Sequence, residues 1–146
     1  MPRSTLLLSL ILLAGMATAA APARAASGLA ARATQLVAMD HHAFLLEKAA
    51  APPPFDWSTD GCTSTPPTWA VTFDGPCQQH DFGYRNLGRG LRLRVTNAAR
   101  SWVDGRFLTE LRRVCRERFA GRDVTRCRVR ARAMHTAVRL FHPPWS

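Results

Sequence analysis

The sequence predicts an all-α domain, small and disulfide-stapled, centred on two antiparallel helices, and three observations carry that expectation. Apolar residues recur at helical spacing in three long stretches, no segment holds the period of two that marks a strand, and four cysteines follow an export-type N terminus.

The first element is that N terminus. A basic start at Arg3, an apolar run over residues 6–14 and small residues through Ala26 read as a secretory signal peptide. The apolar run falls short of the roughly 20 residues that cross a bilayer. Small residues at minus three and minus one favour cleavage after Ala25 over Ala19, which divides the chain into a leader, residues 1–25, and a domain, residues 26–146. The expected protein is therefore secreted and extracellular, and a monomer with one modest core. Its cysteines, Cys62, Cys77, Cys115 and Cys127, meet an oxidising compartment and form two disulfides, for which three connectivities are open.

Residues 29–50 lack Gly and Pro, and Leu29, Arg32, Leu36, Met39, Ala43 and Leu46 recur near helical spacing, so one or two helices are expected there. Prolines 52–54 stop them. Residues 55–74, rich in Ser, Thr, Pro and Gly, read as a structured loop pinned by Cys62. Pro76 suits the first turn of a helix that runs to about Leu87, before Gly88 and Gly90. Thr96 or Asn97 caps the next helix, which carries the apolar stripe Val103, Phe107, Leu111, Val114 and Cys115 and ends near Phe119. Asp123 is expected to cap a last helix through Cys127, Met134 and Phe141, halted by Pro143 and Pro144. If each disulfide staples a loop to the helix beside it, Cys62 pairs with Cys77 and Cys115 with Cys127.

Charge is unevenly spread. Residues 26–84 hold two bases against six carboxylates, whereas residues 85–146 hold sixteen arginines against four, a balance of +12. Such a field draws a protein to anionic surfaces, phospholipid or nucleic acid. Arg so outnumbers Lys that codon preference is an equal explanation. An exported disulfide protein without aromatics interleaved among its arginines is a poor nucleic-acid binder, so none is expected.

The chemistry gathers on the helix after Pro76. Cys77, His80, Asp81 and Tyr84 fall at i, i+3, i+4 and i+7 and share a face. A Cys62–Cys77 bond would bring the Asp60 carboxylate toward Asp81, giving an oxygen-rich site suited to Ca²⁺. Asp104 lies on the apolar stripe of the next helix, where a carboxylate needs a partner, and the antiparallel neighbour offers His80. Phe82, Tyr84, Trp102 and Phe107 read as core. No Gly-x-Ser-x-Gly occurs, and Ser58, Ser64 and Ser101 lack a nucleophile's context. Cys77-x-x-His80 has no second pair to complete a zinc site.

The stretch Phe55-Asp56-Trp57-Ser58-Thr59-Asp60-Gly61-Cys62, followed by Gly75-Pro76-Cys77-Gln78-Gln79-His80-Asp81-Phe82-Gly83-Tyr84-Arg85-Asn86, resembles the signature of the prokaryotic secreted phospholipase A2 family. That resemblance implies a phospholipase A2-like fold. It also implies calcium-dependent hydrolysis of the sn-2 ester of glycerophospholipids, with His80 as general base and Asp104 as its orienting partner. Asp60 and Asp81 would bind Ca²⁺ through carboxylates and Gly61 through its carbonyl; membrane surfaces or micelles would be the partner, with anionic ones preferred on account of the arginine-rich half. Gly61 and Gly105 depart from the pattern without removing a functional group. The rival reading is a non-enzymatic, cationic membrane-binding protein.

Overall fold

The structure, a computed structural model, describes residues 20–145. Five α-helices make it up: α1 (Ala20–Ala38), α2 (His41–Ala50), α3 (Pro67–Gly83), α4 (Asn97–Arg118) and α5 (Gly121–Phe141). A π-helical turn, Tyr84–Gly88, extends α3. The described residues contain no strand. Most of the expected leader lies outside them, and Ala25 falls within α1.

The run over residues 29–50 divides because Asp40 caps α2, its carboxylate accepting from the Ala43 amide at 3.0 Å. The freed carbonyls at the end of α1 need donors. Buried Gln79 supplies them, its Nε2 donating to the carbonyls of Leu36 (3.0 Å) and Met39 (2.9 Å). Gln79 thereby docks α1 on α3.

Helix α3 starts at Pro67, earlier than expected, so residues 67–74 are helical rather than loop. Pro67 can open a helix for the same reason Pro76 can. Phe73 (φ −111°, ψ 16°) breaks the regular geometry, and Pro76 sits in the first turn beyond that kink. The carbonyl of Thr72, which Pro76 cannot bond, accepts instead from Arg118 Nη1 at 3.3 Å.

That contact joins the start of α3 to the end of α4, while Arg100 near the start of α4 bonds Tyr84. The two helices are thus antiparallel. Gly83 lets them close up, since a β-carbon there would lie 2.8 Å from Val103 Cγ1. Thr96 caps α4 through the Ala99 amide at 3.0 Å. Asp123, by contrast, sits inside the first turn of α5 and the cap position is Ala120; the expected cap is off by three residues, because Gly121 starts the helix from a left-handed conformation (φ +55°).

Cys62 is bonded to Cys77, tying the loop after α2 to α3, and Cys115 to Cys127, tying α4 to α5. Two apolar clusters flank the α3–α4 pair. One gathers Leu36, Phe44, Phe82, Leu87, Val103 and Trp145; the other gathers Phe73, Phe107, Leu111, Val114 and Met134 around the second disulfide. Trp145 reaches its place because its amide donates to Asn97 Oδ1 at 2.9 Å, folding the C-terminal segment back over the helix pair.

Candidate active site

His80 faces α4 one turn before the Gly83 contact. Its Nε2 lies 3.0 Å from Asp104 Oδ1, and both side chains are buried. Tyr84 Oη donates to the same oxygen at 2.9 Å. The imidazole is held from both sides, its ring centroid 4.5 Å from those of Tyr84 and of Phe107. Burial pushes the Asp104 carboxyl up, but the hydrogen bonds and charges of His80, Tyr84 and Arg100 outweigh it and leave the group below the usual carboxylate value. Asp104 is therefore an anion. Its Oδ2 has no hydrogen bond among the described residues, with Arg100 Nε 3.9 Å away. Tyr84 is raised by burial and by the Asp104 charge and stays a neutral donor.

A carboxylate on Nε2 fixes the tautomer of a neutral imidazole, leaving Nδ1 as the acceptor. His80 lines a cavity of about 710 Å³, and its Nδ1 has no partner among the described residues. The cavity is bounded by Tyr84, Phe107, Met134, Val138 and His142, and on the other side by the loop carrying Asp60 and Gly61.

That loop is fixed by Asn86. Its buried amide exchanges two 2.9 Å hydrogen bonds with the backbone of Asp56, and the Cys62–Cys77 bond clamps the far end. Between them, Asp81 Oδ2 accepts from Thr59 Oγ1 (2.5 Å), the Asp60 amide (3.1 Å) and the Gly61 amide (3.0 Å). Asp60 Oδ1 meets Arg85 Nη2 at 3.1 Å. The Asp60 and Cys62 carbonyls are taken by Thr63 and Thr65, whereas the Gly61 carbonyl has no hydrogen bond among the described residues. Burial, with the Asp60 charge added, raises the Asp81 carboxyl. Burial opposes ionisation of Asp60 too, but hydrogen bonds from its own backbone amide, Arg85 and Thr63 bring it below its ordinary value. Two mutually repelling carboxylates beside an unengaged carbonyl are a donor set for a hard cation.

Residues 34–142 match the profile of the prokaryotic phospholipase A2 family. The chain belongs to that family. Two proteins named secretory phospholipase A2 are similar to it. The one from Arthroderma benhamiae is 36% identical over 121 residues, 78% of this chain and 79% of that protein. The one from Beauveria bassiana is 32% identical over 91 residues, 62% of this chain but 45% of that protein.

In this phospholipase Gly61 has a φ of +65°, a region where a side chain is strained. Gly105 faces open space on α4. Tyr84 and Phe107, expected as core, are buried and also line the cavity. Sequence reasoning missed Arg100 and His142. Arg100 had a signal, lying four residues before Asp104; His142, beyond the last helix, had none.

Proposed function

We propose that this phospholipase is secreted and hydrolyses the sn-2 ester of glycerophospholipids in a calcium-dependent reaction, with His80 as base. The 3.0 Å contact of His80 with ionised Asp104 at the edge of the cavity carries the reading. His80 Nδ1 takes a proton from a water in the cavity as the water oxygen adds to the ester carbonyl. The imidazolium keeps its Nε2–H on Asp104, whose negative charge stabilises it. On collapse of the tetrahedral adduct the ester C–O bond breaks, and His80 returns the proton to the departing glycerol oxygen. The products are a fatty acid and a lysophospholipid. Apolar Phe107, Met134 and Val138 suit an acyl chain.

Asp60 and Asp81 through carboxylates, and Gly61 through its carbonyl, would hold Ca²⁺, which supplies Lewis-acid polarisation of the carbonyl and neutralises the lipid phosphate. Asp81→Asn is expected to abolish calorimetric Ca²⁺ binding and fatty-acid release from mixed micelles, and EGTA to abolish the latter in the unaltered protein. Undiminished release in excess EGTA would refute calcium dependence.

Exposed arginines 122, 126, 128, 132 and 139 on α5 suit an anionic lipid surface. Vesicle sedimentation should show tighter binding to anionic than to zwitterionic lipid. The difference should fade as the screening length shrinks from about 10 Å at 0.1 M salt to about 3 Å at 1 M. Binding insensitive to lipid charge and to salt would leave the arginines without this role.

A further inference from the structure

We propose a second metal site, for zinc or a similar borderline divalent ion, formed by His41, His42 and Glu117 where the start of α2 meets the end of α4. Each side chain brings one donor atom to within 4.8 Å of the others. All three line a cavity of about 320 Å³, distinct from the one that holds His80.

His41 is the built part of the site. It is 4% exposed, and its Nδ1 is 3.1 Å from Glu110 Oε2, a carboxylate that also accepts the His41 amide. A carboxylate on one imidazole nitrogen fixes the ring and leaves the other to bind metal, the arrangement commonly found behind ligating histidines. Nε2 is the nitrogen left, and it has no partner among the described residues. The ring lies against Gly75, where a β-carbon would come within 2.8 Å of Cδ2. His42 Nε2 stands 2.9 Å from Glu117 Oε2, so an imidazole and a carboxylate already face each other at the cavity edge.

The donor set decides the metal. Two imidazoles and one carboxylate suit Zn²⁺, whereas Ca²⁺ takes six to eight oxygens. Tetrahedral zinc with bonds of about 2.0–2.1 Å needs donors about 3.4 Å apart. His42 and Glu117, both exposed, have room to close that gap. Neighbouring cations are already engaged: Arg118 bonds the Thr72 carbonyl and Arg113 bonds Glu110. Three protein ligands leave a position for water, and the bound ion would join α2 to α4 where no disulfide does.

The test is calorimetric titration of the full, disulfide-bonded chain with Zn²⁺ alone, repeated in excess Ca²⁺. The unaltered protein should bind zinc with calcium unable to displace it. His42→Ala and Glu117→Gln, at exposed positions where the fold is not at stake, should each weaken binding by at least about tenfold, the lower end of what even outer partners of a metal ligand contribute. His80→Gln should bind zinc as the unaltered protein does. Equal zinc affinity in the His42 and Glu117 variants, or loss of binding in His80→Gln instead, would place the metal elsewhere and overturn the site.

Discussion

His80→Gln is expected to reduce fatty-acid release by roughly 10²–10⁴-fold, the usual contribution of a positioned general base, while Ca²⁺ binding and unfolding midpoint change little. Glutamine fills similar space against Tyr84 and Phe107 and can still donate to Asp104, but it cannot take a proton from water. The loss should appear in kcat rather than KM, because in the proposed mechanism the group acts on the reacting water and not on the bound lipid. Asp104→Asn should be milder. It removes the charge that stabilises the imidazolium, yet the base remains and its ring is still packed between two aromatic side chains. Steady-state rates on mixed micelles for both variants, beside calorimetric Ca²⁺ titrations, separate the roles. Full activity in His80→Gln would remove His80 from the mechanism, and a larger loss in Asp104→Asn than in His80→Gln would reverse the assignment.

Much of this site was legible in sequence because its parts repeat at helical spacing. His80, Asp81 and Tyr84 share a face by arithmetic alone, and Asp104 stood out as a carboxylate on an apolar stripe. What sequence could not supply was the register between helices. That register depends on Gly83 against Val103, a steric fact about two distant residues. The start of α3 was misplaced because Asp74-Gly75-Pro76 reads as a breaker, when in the fold the kink falls at Phe73 and the chain resumes its helix. The N-terminal helices were legible as helices but not in their purpose, since Gln79 and Glu110 receive them from elsewhere in the chain. Glu110 was missed although a signal existed: it lies seven residues after Val103 and three after Phe107, on the buried stripe. Its neighbours Arg106 and Arg113, at i−4 and i+3, are equally compatible with a solvated ladder of ion pairs.

Glu110 is where the largest effect on stability is expected. Its side chain is fully buried on α4 and accepts from Arg106 Nη2 at 2.8 Å, Arg113 Nε at 2.9 Å and the His41 amide at 3.1 Å. The amide is one that α2 leaves unbonded at its first turn, so the carboxylate also caps that helix electrostatically. Burial alone would raise its pKa, but the hydrogen bonds from His41 and the ion pair with Arg113 bring it down to about 2 from 4.5. A carboxyl depressed on folding stabilises the native state above its unfolded value, and that contribution drains away as pH falls through its folded value. The window is therefore pH 4.5 down to about 2, and the contribution at neutral pH is on the order of 3 kcal/mol. Glu110→Ala should cost about 3–5 kcal/mol at pH 7, because it leaves buried His41 and the partly exposed guanidinium groups of Arg106 and Arg113 without their anion. Against a total stability of about 5–15 kcal/mol that is a large fraction. Glu110→Gln should cost less and titrate differently. Urea unfolding midpoints taken from pH 7 to pH 3 should fall more gently in Glu110→Gln than in the unaltered protein, since the variant has already lost the group that titrates. Parallel acid profiles in the two proteins would show that the acid sensitivity resides in other carboxylates, Asp104 first among them.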